Sequence, residues 1–314
     1  MRIGLDAMGG DYAPKAAVNG AVLANKELDS NDRIVLFGKK DIIEKEILSL
    51  GAKVEDFEIV EADEVIQMHE KPIKALQSKP NSSISVGFRF LKEGKIDTFA
   101  SAGSTGVMLV GTMYSVGVLE GIIRPTLAAI IPKADKGVSV LLDVGVNPDS
   151  KAEMLYQFGL LGSAYAQAIG IPNPKVGLLN IGEEDEKGNQ QTQAAMLLMK
   201  GTKDYDFRGN CEPIELFENN FDVFVCDGFV GNLMMKHTEA FAKTMVKKGM
   251  INDFIMRFNY ELYGGLPLLG ANGVVIIGHG ISNEKAIKTM VLQSKTIYTS
   301  KINEQIAKVL KKEA

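Results

Sequence analysis

The chain has 314 residues, 46% of them hydrophobic and 24% charged, the balance of a globular protein with enough apolar material for a large core. A formal net charge of -4, with no Lys/Arg stripe interleaved with aromatics, excludes the footprint of a nucleic-acid binder. The chain has no uncharged run long enough to span a bilayer and no charged-then-apolar N-terminal leader, so the expected location is the cytoplasm. Two cysteines and three scattered histidines suggest neither a disulfide framework nor a metal site.

Arg2–Leu5 reads as a first strand, followed by Asp6–Asp11 (DAMGGD), a loop in which two glycines follow an acid. Pro14 stands where a helix can begin, and that helix runs to about Asn25. Arg33–Phe37 (RIVLF) is a second strand, and the helix after Gly38 carries Ile42, Ile43, Ile47, Leu48 and Leu50, which makes a βαβ alternation. Phe57–Val60 is a third strand. Residues 64–81 are polar, contain Lys71-Pro72 and read as a flap of unassigned structure. Ser82 or Ser83 caps a helix to about Gly94, and Asp97–Ala100 leads into Ser101–Gly106 (SAGSTG). An apolar helix from Val107 to about Val118 follows. Ser104 or Thr105 either caps it or meets a phosphate oxygen, although the spacing of a P-loop is absent.

In the second half, Arg124-Pro125 precedes strands at Thr126–Ile131 and Val138–Leu142, the latter ending in Asp143–Asn147 (DVGVN). A helix over about Lys151–Ile169 turns Leu155, Phe158, Leu161, Gly162 and Tyr165 to one side. The strand Val176–Leu179 opens into Asn180–Gly188 (NIGEEDEKG), either a solvated acidic turn or a loop that offers Lys187 to an anion before the helix Gln190–Lys200. Phe207–Pro213 reads as a loop. Val223–Lys236 (VFVCDGFVGNLMMK) combines a short strand, Asp227, Asn232 and two glycines in a strand-to-helix turn, the kind of place where free backbone N–H groups suit an anion. A long helical region is expected over about 233–262, then a loop or irregular strand at 264–273. A strand at Val274–Ile277, the turn Gly278–Gly280 (GHG) and a helix capped by Ser282 or Asn283 and running to about Lys311 complete the chain. No internal repeat or Gly/Ser/Pro-rich linker is present. The expectation is one compact α/β domain over 1–314, with a helical protrusion at about 233–262.

The segments DAMGGD, SAGSTG, LDVGVN (Leu142–Asn147), GLLNIGEE (Gly177–Glu184), CDGFVGN (Cys226–Asn232), PLLGANG (Pro267–Gly273) and GHG together resemble one family, the bacterial phosphate acyltransferases, acyl-(acyl carrier protein):phosphate transacylases. The motifs fall in order along essentially the whole chain. The resemblance implies a three-layer α/β/α fold with one large mixed sheet, related to phosphotransacetylases and the isocitrate dehydrogenase group, and a homodimer. It implies that orthophosphate takes a fatty acyl group from acyl carrier protein, and that the acyl phosphate passes to a membrane glycerol-3-phosphate acyltransferase in phospholipid synthesis. The enzyme is then expected in the cytoplasm, peripherally associated with the inner face of the membrane. Four departures from the family pattern are visible: Ser104 replaces Asn, His69 replaces Asp, Pro213-Ile214 replaces Gly-Arg, and Val107 replaces Ala.

A thioester is already activated, so no metal or redox cofactor is chemically required; positioning and hydrogen-bond donors carry the transfer. By resemblance, Lys187 and Asn232 are the catalytic candidates. The substrate-binding candidates are Ser104, Thr105, Gly106, Arg124, Asn147, Asp227, Gly231 and His279. Capping and turn-making account equally well for Asp6, Asp11, Asp143 and Asp227. Cys226 follows a buried strand without a base beside it, so packing is expected of it rather than acyl-enzyme chemistry. Two alternatives are an NAD-dependent dehydrogenase on a related fold, which needs no GxGxxG motif, and a non-enzymatic membrane adaptor. Ile251, Phe254, Ile255, Phe258 and Leu262 fall at helical spacing near Lys243, Lys247, Lys248 and Arg257, a stripe that suits a membrane surface, the acidic carrier protein, the core or a dimer interface.

Overall fold

A computed structural model of the chain describes residues 1–311. The first elements are β1 (Arg2–Asp6), α1 (Lys15–Asn25), β2 (Arg33–Gly38), α2 (Lys40–Ser49) and β3 (Glu58–Glu61). Then come α3 (Pro72–Ser78), α4 (Ser83–Lys92), β4 (Thr98–Ser101) and α5 (Thr105–Gly111), whose last turn widens into a π-helix at Thr112–Val116. The chain continues through β5 (Thr126–Pro132), β6 (Val138–Leu142), α6 (Ala152–Ala168), β7 (Lys175–Leu179), α7 (Gln190–Met199) and β8 (Asp206–Cys211). β9 (Val223–Val225), α8 (Gly228–Lys247), α9 (Asp253–Met256), β10 (Gly265–Leu269), β11 (Val274–Gly278), α10 (Glu284–Thr299) and α11 (Ile302–Leu310) follow.

These elements sort into two compact units, 1–117 with 260–299, and 118–259 with 300–311. In the first, the strands lie in the order β3-β2-β1-β4-β11-β10. All are parallel except β10, which runs antiparallel to β11. The alternation of short apolar strands with amphipathic helices dictates this arrangement, since a right-handed crossover returns each strand parallel to the last. Phe37 and Phe99 meet Phe90 and Phe88 from α4 edge-on, with ring centroids 5.1 to 5.7 Å apart. Gly87 lets α4 settle on that cluster, since a Cβ there would reach within 2.2 Å of the Phe99 ring. Gly20 of α1 does the same against Ile287 of α10.

The second unit has the order β5-β6-β9-β7-β8. β5 is antiparallel to β6 and the other pairs are parallel. Fully buried Phe158 and Tyr165 belong to α6, and Gly162 brings that helix down on Val223 of β9 and Leu142 of β6. α7 and α11 pack on α6.

Several expectations need correction. Phe207–Pro213 reads as a loop because of Gly209-Asn210, yet most of it is strand β8. Gly209, at φ +104, sits where the β7–β8 register shifts, so its left-handed backbone marks a bulge and not a turn. The single C-terminal helix is two, broken where Lys301 adopts φ 56. The helical region expected at 233–262 starts at Gly228 and stops at Lys247, with Gly249 at φ +74 after it. Beyond the break, the chain folds onto the β5–β6 hairpin. Arg257 donates to the carbonyls of Lys133, Asp135 and Gly137. Phe254 and Phe258 pack edge-on with each other and with Phe217, and Ile255 is buried, so these three do not form the expected exposed stripe, while Ile251 and Leu262 are each exposed. The unassigned 64–81 segment contains α3, which Lys71-Pro72 starts in the expected way for a first-turn proline.

Candidate active site

In the first unit, β1, β4 and β11 are adjacent and parallel, so their C-terminal ends bring DAMGGD, SAGSTG and GHG to one edge. Ser101 Oγ donates to Asp6 Oδ2 at 2.6 Å, Met8 N donates to Asp6 Oδ1 at 2.9 Å, and Gly103 N donates to Ser101 Oγ at 2.9 Å. Asp11 N donates to Gly280 O at 2.8 Å, which ties the first turn to the third. Gly9 is required for this closeness, since a Cβ would fall 2.4 Å from Asp6 Oδ2. Burial drives the Asp6 carboxyl above the ordinary carboxylate range despite these donors.

Of the candidates on this unit, Ser104 is buried at the start of α5 without a capping hydrogen bond, Thr105 is exposed, and Gly106 faces Pro72 of α3. His279 is exposed, with Nδ1 accepting from Ile281 N at 3.5 Å.

In the second unit, β6, β9 and β7 are adjacent and parallel, and β5 begins where β6 ends, with Ala128 opposite Leu142. Arg124, Asn147, Asp227, Gly231, Asn232 and Lys187 thus belong to one strand-end edge. Asp227 Oδ1 caps α8 by accepting from Val230 N at 2.8 Å. Gly231 lies directly on the Asp143 carbonyl, since a Cβ there would come within 1.9 Å of that oxygen. The Asn232 side chain lies beside Gly145 and makes no hydrogen bond with the described residues. Arg124 is exposed and likewise has no hydrogen-bond or ion-pair partner among them. Asn147, expected to bind substrate, has its side-chain amide occupied by Asp143 and by the Pro125 carbonyl.

The Lys187 loop is held by two residues that sequence reasoning passed over. Asn180 Nδ2 donates to Lys187 O at 3.2 Å and to Asn210 Oδ1 at 3.0 Å, and Asn210 Nδ2 donates to Glu184 O at 2.8 Å. The available signal was, for Asn180 alone, a polar residue just after the buried strand β7. The Lys187 ammonium itself is 3.9 Å from Glu184 Oε2, a loose contact at an exposed side chain that leaves it open to an anion. Cys226 is buried with Sγ 3.7 Å from the Asp143 carbonyl, and burial with nearby carboxylates pushes its thiol well above the usual range. That setting suits packing and not nucleophilic attack. Among the described residues no cluster of three His, Cys, Asp or Glu is placed to hold a metal, and no helix is long and apolar enough to cross a membrane.

This architecture is that of the phosphotransacetylases. The Streptococcus pyogenes enzyme superposes with a TM-score of 0.67 at 18% identity, covering 95% of this chain and 94% of its own, and the EutD phosphotransacetylase from Staphylococcus aureus with 0.64 at 16%, with the same coverage. Residues 1–305 match the family described as "Fatty acid synthesis protein". The phosphate acyltransferase of Dictyoglomus turgidum is 40% identical over 99% of this chain and 98% of its own length. That of Clostridium botulinum is also 40% identical, over 98% and 96%. The chain belongs to the phosphate acyltransferase family.

Proposed function

We propose that this enzyme moves a fatty acyl group from the thioester of acyl carrier protein to orthophosphate. The observation that carries this reading is the 40% identity, over nearly the full length, to proteins named phosphate acyltransferase. A phosphate oxygen adds to the thioester carbonyl, the carbonyl electrons move onto oxygen, and collapse breaks the C–S bond. The products are acyl phosphate and a carrier thiolate that takes a proton from water. Lys187 and Asn232 supply an ammonium and an amide N–H to the phosphate or the oxyanion, which is where donors contribute most. Their origin after the neighbouring strands β7 and β9, Lys187 on the loop after β7 and Asn232 near the start of α8, each with an open donor group, supports this pairing.

Arg124 adds a second cation for phosphate, and Gly231 allows the α8 backbone to come close. Asp227 contributes by capping α8. The first unit offers donors of its own, the hydroxyls of Ser104 and Thr105, the backbone of Gly106 and the imidazole of His279. The product is labile and lipophilic, so it passes to a membrane glycerol-3-phosphate acyltransferase, and peripheral contact with the inner membrane face shortens that transfer. Exposed Met250 and Ile251, near Lys247 and Lys248, support that contact. A homodimer is supported by exposed apolar side chains along α8.

The test is to mix the protein with acyl-loaded carrier protein and inorganic phosphate, then trap acyl phosphate with hydroxylamine. Hydroxamate that forms only when protein and phosphate are both present is the expected result. Thioester loss that does not depend on phosphate would sink the reading.

A further inference from the structure

We infer that Asp143 is a positioning residue which, through Asn147, sets the Arg124 segment and the first turn of α8 in register; the inference rests on the phosphate-transfer reading above. Asp143 follows β6 directly and is fully buried. Its Oδ1 accepts from Leu127 N at 3.0 Å. Its Oδ2 accepts from Val146 N at 3.1 Å, Asn147 N at 2.6 Å and Asn147 Nδ2 at 3.0 Å. Asn147 Nδ2 also donates to Pro125 O at 2.9 Å. The carboxylate and its amide partner therefore fix the backbone at Pro125 and Leu127, and Arg124 is the residue immediately before that pinned pair.

The same group registers α8. Gly228 N donates to Asn147 O at 2.8 Å, and a Cβ on Gly228 would lie 2.7 Å from Asp143 Oδ2. Asp143 N donates to Cys226 O at 3.0 Å, and Gly231 rests on the Asp143 carbonyl. Asn232, next in α8, lies beside Gly145, two residues past Asp143. One buried side chain thus references both the unpartnered guanidinium of Arg124 and the unpartnered amide of Asn232.

Only a carboxylate fits this role. All four contacts are N–H donors, so an amide at 143 would turn its own NH2 toward at least one of them and leave that donor unsatisfied in the interior. A plain turn would not need a fully buried acid, which is costly to desolvate. The ties are informative because the segments they join carry the site's open donors.

The test uses the full-length chain, acyl-loaded carrier protein and inorganic phosphate. Asn147→Ala and Asp143→Asn should raise the KM for phosphate about 10-fold to 100-fold, the scale of a small misplacement of a binding group, with cooperative unfolding retained. The discriminating measurement is a cycle with Arg124→Ala. If Asn147 acts in part through Arg124, adding Asn147→Ala to Arg124→Ala should raise the phosphate KM by a clearly smaller factor than it does in the wild type; fully multiplicative effects would overturn the proposal. An unchanged phosphate KM in folded Asn147→Ala, or its failure to fold, would also overturn it by assigning the pair to stability alone. Calorimetric titration with inorganic phosphate separates this from the reaction itself. A wild type that binds phosphate, with affinity lost in Asn147→Ala and the two losses less than multiplicative in the double variant, supports positioning even if no acyl transfer is seen.

Discussion

Lys187 and Asn232 owe their availability to residues that do no chemistry. Asn180 and Asn210 hold the lysine loop by its backbone, which leaves the ammonium with one loose contact, and Gly145 gives the Asn232 side chain its berth. Each alanine variant should therefore fold and lose on the order of 100-fold or more in phosphate-dependent turnover, the usual loss when one transition-state donor is removed. Near-normal turnover in a folded variant would remove that residue from the mechanism. Asp6 makes a different prediction. Burial lifts its carboxyl, so the folded state holds the proton more tightly than the unfolded chain. Its contribution to stability is present at acid pH and is lost as pH rises through the folded value. In urea melts, the stability of Asp6→Asn relative to wild type should improve from mildly acidic to neutral pH; a constant difference would show that Asp6 does not titrate in this way.

Turns were easier to read than the lengths of helices. A polar or glycine-rich group after a short apolar run marks the end of a buried parallel strand, and for β1, β4, β6, β7, β9 and β11 that pattern agrees with the structure. β8 was missed because one left-handed glycine looks the same in a bulge as in a turn, and only the neighbouring strand distinguishes them. The end of α8 was missed because Phe254, Ile255 and Phe258 keep helical spacing, while Phe217, which packs on Phe254 and Phe258, and the hairpin carbonyls that accept from Arg257 are far away in sequence. The functions of Asp143 and Asn147 were hidden for the same reason, since their partners Pro125 and Leu127 precede them by many residues. Gly188 offers a test at this scale. It has φ +95, and a Cβ would fall 2.1 Å from Thr192 Oγ1, so Gly188→Ala must shift the Lys187 loop against α7. The variant should lose activity at least as severely as it loses stability, measured by turnover beside thermal unfolding. A large drop in stability with full turnover would show that the loop tolerates the displacement.

Across the whole molecule, the two compact units were not legible, because the chain passes between them at 117–118, 259–260 and 299–300 without a linker of distinctive composition. The α/β class was legible from the alternation of strands and helices alone. Phe229, Leu233 and Phe241, spaced by multiples of four on α8, are 61%, 54% and 56% exposed, which suits a surface covered by a second copy. Leu233→Asp with Phe241→Asp should convert a dimer to a monomer in sedimentation with the circular dichroism unchanged; a wild type that sediments as a monomer would dismiss the interface. The attachment of α8 has one more consequence. It begins with Gly228 and Gly231 seated on Asp143, and the segment after it is gripped by Arg257, Phe254 and Phe258, so the helix is a rod bolted at both ends. A partner laid along it meets a surface that is already ordered and loses little chain entropy in docking. Any load the partner places along the rod is delivered to the bolt at its first turn, where Asn232 stands.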